Sequence, residues 1–414
     1  LNAIVESVVV QSSGKARKPL QNGQTVAGIF SGIGGFELGF ESVGFESRFL
    51  CELDPDACTV LEAQFNGVKI QKDILRLNKL PNVDVITAGF PCQDLSAVGT
   101  RLGISGSRSN LINALLQLVE DSSKRPRWIV LENVPFMLQL ERGRAMDIIT
   151  RRLENLGYAW AYRVVDSRAF GLPQRRRRVF IVAGRGGAKP ENVLFSDNAR
   201  PVADLKSTKY ARGFYWTEGN RGVGWAIDAI PTLKGGSSLS IPSPPAIWTP
   251  RNGAIILPDI RDAERLQGFD EDWTQPTEAS HARYARRRWK QVGNAVSVPV
   301  ARWIADRITS PGELSPAYIA PFEQSSAWPI AAFGAKGRRF MVEVSEWPFG
   351  DRPPHLHAFL NHKGHAISKR AVSGFFERVR RSTLRLEDGF LEGLAAVAGR
   401  EPSQAVRILL HRTT

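Results

Sequence analysis

The stretch "TVAGIFSGIGGFELGF", residues 25–40, decides the fold. Its start, "TVAGIF", is small or apolar and reads as a strand. The turn Ser31-Gly32-Ile33-Gly34-Gly35 follows, and "GGFELGFESVG" then sets apolar side chains at helical spacing. A strand that enters a helix through glycines opens a strand–helix–strand unit, and the missing side chains let a ligand approach the backbone. The pattern is not G-x-G-x-x-G, because Phe36 and Glu37 follow Gly35 and the next glycine is Gly39. Glu52 stands 20 residues after Gly32, at the end of the next expected strand, where a carboxylate can grip ribose hydroxyls. A tight turn followed by an unrelated exposed acid is the plainer alternative.

Outward from this stretch, strand and helix alternate. "FESRFLCE" reads as a strand and "DPDACTVLEAQF" as a helix begun by Asp54 and Pro55. The strand "DVITAGF", the helix "NLINALLQLVED", the strand "RWIVLENV", a helix from about Met137 to Leu156 and the strands "AWAYRVVD" and "RRVFIVAG" continue the series. This alternation predicts an α/β fold, a doubly wound and mostly parallel sheet with helices on both faces. In such sheets ligands sit beyond the carboxyl ends of the strands, where Gly32, Glu52, Asp73, Cys92 and Glu132 all fall. Cys92, in "GFPCQDLS", lies at a strand exit, where a side chain is presented rather than packed, and reads as a working thiol. Cys51 and Cys58 read as packed and inert. Three cysteines are too few for a disulfide framework and match no zinc spacing.

A chain of 414 residues, 43% of them hydrophobic, can bury a large core in two or three domains. No apolar run approaches the roughly 18 residues of a membrane span, and no secretory start is visible, so a cytoplasmic location is expected. The net charge of +14, with clusters at residues 175–178, 286–290 and 378–381, points to an anionic partner, nucleic acid foremost, with solvated basic faces as the alternative. The segment "HLHAFLNHKGH" lacks acidic or cysteine partners at ligand spacing and reads as polar surface, so no metal is expected. Residues 1–24 read as an arm and residues 25–185 as the first domain. Residues 186–258, rich in Gly, Pro, Ser and aromatics, read as a loop-rich second domain. Residues 259–310 return to the first, and residues 322–414 read as an accessory segment of unassigned role.

Taken in order, "FSGIGGFELGF", "GFPCQDLS", "LENV" (residues 131–134), "QRRRR" (174–178), "RDAERLQGF" (261–269) and "QVGNAVSVP" (291–299) closely resemble the DNA cytosine-5 methyltransferase family. The resemblance spans about residues 26–308. It implies methyl transfer from S-adenosylmethionine to C5 of a flipped cytosine in a short double-stranded DNA sequence. In that chemistry a Cys92 thiolate attacks C6, Glu132 holds N3, and Arg178 donates to O2, while Gln174 and Arg176 order the site. It also implies a donor pocket made by Phe30, Ser31, Gly32, Gly34, Gly35, Glu52, Asp73, Ile74, Pro91, Asn294 and Val296. Residues 97–110 would be a closing loop and residues 186–258 a target-recognition domain, with "PTLKGG" (231–236) as its signature. The family alternates its arginines, whereas Arg175 and Arg177 fill the gaps here, so phosphate binding stays open for this run. A monomer is expected, with a cognate restriction endonuclease as a possible companion in the same system. An RNA-directed relative and a regulator that keeps the fold without catalysis are the other readings.

Overall fold

A computed structural model describes residues 23–91, 111–203, 209–218, 222–235, 244–280, 284–314, 319–322, 327–384 and 386–399. Cys92, residues 97–110 and most of the amino-terminal arm lie outside these residues.

The opening stretch folds as β1 (Thr25–Ile29) and α1 (Gly35–Glu41). Next come β2 (Glu46–Cys51), α2 (Pro55–Gln64), β3 (Lys69–Gln71), β4 (Val85–Gly89), α3 (Leu111–Glu120) and β5 (Trp128–Asn133). The Asp54 side chain accepts from the Asp56 amide and Pro55 fills the first turn of α2, so this helix starts where its cap residues dictate. After β5 the helix expected from Met137 begins later, as α4 (Arg144–Asn155). Two short turns precede it, because Glu141, Arg142 and Gly143 all have positive φ, a break no helix tolerates. The chain continues through β6 (Ala159–Asp166), β7 (Gln174–Arg175), β8 (Arg177–Gly184) and α5 (Pro190–Phe195).

The strands β3-β2-β1-β4-β5 run parallel in that spatial order. Antiparallel β8 lies between β5 and β6. Ile112, Leu115, Met146 and Ile149 of α3 and α4 cover one face, and Phe36, Phe40 and Val193 of α1 and α5 cover the other. Both faces are therefore dry, as a parallel sheet requires.

Short strands follow: β9 (Arg212–Phe214), β10 (Ala226–Ile227), β11 (Ile230–Pro231), β12 (Ala246–Thr249) and β13 (Ala254–Leu257). The chain then returns to the first unit through α6 (Ile260–Arg265), α7 (Tyr284–Asn294) and α8 (Val298–Thr309), with α8 packed beside α1.

The described residues from 319 onward join both sheets. β14 (Ile319–Pro321), β15 (Ala331–Ala335) and β16 (Arg338–Val342) extend the large sheet to ten strands, β15 pairing antiparallel with β6. Trp328 packs against Trp160 and Tyr162, with ring centroids 5.8 and 5.6 Å away. Beyond the short α9 (Leu356–Phe359), β17 (His365–Ala366) joins β13 to complete a second sheet, β10-β9-β12-β13-β17. α10 (Lys369–Arg381) and α11 (Asp388–Ala398) then cover that sheet: Phe375, Phe376, Phe390 and Leu394 pack on Phe214, Trp248 and Ile255. Trp216 and Trp225 pack against the same cluster, so all three tryptophans of this unit serve its core.

Candidate active site

The glycine turn sits at the carboxyl end of β1. Phe30 closes that strand at φ +58°, a left-handed conformation that costs a non-glycine residue of order 1 kcal/mol and marks a backbone held for a purpose. Gly32 donates its amide to Glu52 Oε2 at 2.8 Å, and the Asp54 amide donates to Oε1 at 2.8 Å. Glu52 is thus a fixed wall of the turn rather than an unrelated exposed acid, and burial pushes its carboxyl up from the ordinary range. The Trp273 indole donates to Ile33 O at 2.8 Å from below. A side chain on Gly35 would meet Val296 O at 2.4 Å, so the loop after α7 closes directly on the turn. Asp73 spends one oxygen capping the Leu75 amide at 2.9 Å, and Ile74 beside it is buried.

On the other side of β1, β4 and β5 place Gly89 opposite Glu132. A Cβ on Gly89 would lie 3.6 Å from Glu132 Oε2 and 3.4 Å from Val296 Cγ2, so Val296 touches both the glycine turn and the backbone leading to Pro91. Asn133 fixes this junction by donating to Phe90 O at 3.0 Å while accepting from the Val134 amide at 2.8 Å. Pro91 is exposed at the strand exit. Glu132 is 8% exposed. Arg178 Nε lies 3.0 Å from its Oε1, an ion-pair distance without hydrogen-bond alignment, so that buried oxygen keeps an open acceptor position.

The arginine run resolves by strand alternation. Gln174, Arg176 and Arg178 turn inward, while Arg175 is half-buried and Arg177 is exposed and ion-paired to Glu346. Gln174 donates to Leu266 O at 2.8 Å and accepts from the Leu233 amide at 2.9 Å. Arg176, 2% exposed, donates to the carbonyls of Leu233, Gly293 and Ala295 at 3.1, 3.2 and 2.7 Å. Burial, with Arg178 nearby, pulls its pKa down to about 9. Arg176 and Gln174 therefore tie "PTLKGG", "RLQGF" and "GNAV" together and do not themselves face the crevice. Among the six arginines and lysines of these motifs only Arg178 reaches Glu132. Asn294 is exposed, and its side chain abuts Gly235 of the "PTLKGG" segment, where a Cβ would meet Asn294 Oδ1 at 2.2 Å.

Sequence reasoning missed Asn133, Gln267 and Trp273. Gln267 donates to Val292 O at 2.9 Å and accepts from Ser297 Oγ at 2.9 Å; only its place inside a motif could have flagged it. Cys51 and Cys58 are buried free thiols whose pKa values burial lifts to about 12 and about 11, which leaves neither a thiolate near neutral pH. His355 and His357 stack, with ring centroids 5.7 Å apart. His355 pairs with Asp228 at 2.5 Å and His362 with Glu271 at 3.1 Å, and the described residues hold no group of three potential metal ligands.

A crevice beyond parallel strand ends, with a glycine turn and a ribose-type acid at one side and a buried Glu–Arg pair at the other, defines a nucleotide-handling α/β enzyme. The family described as C-5 cytosine-specific DNA methylase matches residues 25–217 and 259–310, and the chain belongs to this family. It is accordingly a DNA cytosine-5-methyltransferase. The Type II methyltransferase M2.BsuMI of Bacillus subtilis (strain 168) is 45% identical over 388 residues, 91% of this chain and 98% of that protein. With so little of the chain left over, that similarity runs well into the segment beyond residue 322. The Type II methyltransferase M.BsuFI of Bacillus subtilis is 40% identical over 301 residues, 68% of this chain and 71% of that protein. Among solved structures, the S. pombe Dnmt2 methyltransferase aligns with a TM-score of 0.48 at 18% identity, over 68% of this chain and 97% of that one. No helix among the described residues is long and apolar enough to cross a membrane.

Proposed function

We propose that this enzyme methylates C5 of a cytosine flipped out of a specific short double-stranded DNA sequence, through a covalent bond between Cys92 and C6. The observation that carries this reading is the junction at Gly89. There the backbone of Gly89, two residues ahead of Pro91, lies against both the Glu132 side chain and Val296, which itself closes on the glycine turn. The open Oε1 of Glu132 would hold N3 of the base, and Arg178 beside it would donate to O2. A Cys92 thiolate adding to C6 pushes an electron pair toward C5 and makes that carbon nucleophilic. Once C5 is methylated, loss of its hydrogen as a proton restores the double bond and expels the thiolate. The target base inside a duplex is out of reach of Cys92, which is why it must be flipped.

S-adenosylmethionine, when bound, supplies an electrophilic methyl group. The residues fit it. Ser31 Oγ is buried without a partner, the space over Gly32 is open, and Glu52 stands where ribose hydroxyls would lie. Phe30, Gly34, Gly35, Asp73, Ile74, Pro91, Asn294 and Val296 would complete the pocket. Target reading is assigned to the second unit, residues 186–258. The chain's similarity to Type II methyltransferases favours a restriction–modification setting with a cognate endonuclease. A monomer acting in the cytoplasm completes the proposal.

Duplex DNA carrying 5-fluorocytosine tests the chemistry, because fluorine at C5 cannot leave as a proton. Incubated with S-adenosylmethionine, the protein should form a denaturation-resistant adduct whose peptide maps to Cys92. Cys92→Ser should form none, since a serine hydroxyl is far less ionised and less nucleophilic. An adduct on another residue would overturn the assignment. Bisulfite sequencing of DNA from expressing cells gives the target.

A further inference from the structure

Beneath the glycine turn lies a buried carboxyl that the chemistry above does not use. Glu37, on the first turn of α1, is 1% exposed. Gly28 of β1 makes room for it: a Cβ there would stand 1.8 Å from Glu37 Oε1 and 2.6 Å from Ser31 Oγ, so the carboxyl and the hydroxyl crowd the same point. Thr87, paired with Gly28 across β1 and β4, donates to Glu37 Oε1 at 3.4 Å. Glu37 Oε2 and Ser31 Oγ are both buried without a hydrogen-bond partner. Burial pushes the pKa of this carboxyl up to about 8, with the acidic Glu41 of α1 and Glu52 after β2 adding to the rise. A buried acid with no cation is costly to ionise, and a buried polar atom with no partner calls for a ligand.

We infer that Glu37 is a positioning residue for the methyl donor: when the α-ammonium group of S-adenosylmethionine settles over Ser31, the Glu37 carboxyl gives up its proton to solvent and the resulting carboxylate holds that charge. This rests on the donor assignment above and adds to it the group that receives the donor's positive end. The balance is simple: one O–H bond of the carboxyl breaks, the proton goes to buffer, and a buried ion pair replaces a buried neutral acid.

Calorimetric binding of S-adenosylmethionine in two buffers of different ionisation enthalpy counts the protons released. At pH 7 the wild-type protein should release close to one proton more than Glu37→Gln, by linkage between the free and bound pKa. The difference should close as the pH rises past 8, where the free acid is already ionised. Equal proton counts at pH 7 would overturn the inference while leaving the donor assignment intact. Absence of any binding to the wild-type protein would overturn both. Should Glu37→Gln fail to fold, Thr87→Val keeps the carboxyl and removes a bond that lowers its pKa, so the pH at which proton release fades must move upward. An unmoved profile would equally sink the idea.

Discussion

At the carboxyl ends of β1, β2, β4 and β5, functional positions meet first through the register of adjacent parallel strands, with Trp273 and Val296 reaching in from later in the chain. Gly32 binds Glu52 across adjacent strands, and Gly89 faces Glu132 across another pair. At the opposite edge of the same sheet, order comes from far away in sequence. Ala332 pairs with Tyr162, and buried Arg163 donates to Ser345 O at 2.8 Å and to Leu194 O at 2.7 Å. The second unit follows the same rule, with Arg212 paired to Glu387 at 2.8 Å beneath α11. The difference teaches that the crevice is a property of a local motif repeated along a sheet, whereas the remainder is a property of burial. A sheet edge and an open sheet face must be covered, and the last part of the chain covers both.

The largest expected effect breaks this contrast if it is wrong. A chain ending at Ser310, close to where the family match stops, should fail to fold cooperatively, because Trp160, Tyr162, Phe214 and Trp248 all lose their cover. A thermal melt with a native-like transition, together with retained methyl transfer, would show the final segment to be accessory after all. Next, Arg176→Met should cost about 3–5 kcal/mol, since several buried carbonyls lose their donor at once. Arg177→Met, on the outward side of the same strand, should stay within about 1 kcal/mol. Denaturant midpoints of the pair read the inward–outward alternation directly.

Phe390→Ala empties the centre of the second unit and should cost about 3 kcal/mol. If that unit reads the target, the variant should lose DNA affinity before it loses affinity for the methyl donor, which separate titrations distinguish. A pH-dependent effect belongs to Glu37. Its folded pKa of about 8 lies above that of an unfolded chain, so the native state binds the extra proton. Stability should therefore fall as pH rises from about 5 to 8, by at most about 1.4 kcal/mol per unit, and then level off. Glu37→Gln should flatten that slope in melts across the range. Smallest of all, Cys51→Ala should change the methylation rate by less than about twofold, because its thiol stays protonated and packed.

Much of the crevice was legible because its residues sit where short-range rules act. The strand–turn–helix pattern of residues 25–40 placed Phe30 to Gly35, the cap at Asp54 placed Glu52 just ahead of it, and β4 and β5 delivered Gly89 and Glu132. Less legible were the supports. Asn133, Gln267 and Trp273 act on backbone atoms of other segments, and nothing in their immediate sequence announces such a partner. The helix expected from Met137 started late for a similar reason: its apolar spacing is helical, yet Glu141 and Arg142 adopt positive φ that periodicity does not encode.

The amino-acid sequence by itself determined the alternation of strand and helix, the glycine turn, the acid after β2 and the motif order that joins them, because hydrophobic period and cap chemistry are local. Tertiary structure alone decided which arginine of the run reaches Glu132, since that depends on which face of a strand meets the crevice. It alone also decided that one oxygen of a carboxyl from α1 lies without a partner under the turn and that described residues beyond 319 complete both sheets. Those outcomes turn on long-range burial, whose free energy is shared among residues far apart in the chain and is written in no single stretch of it.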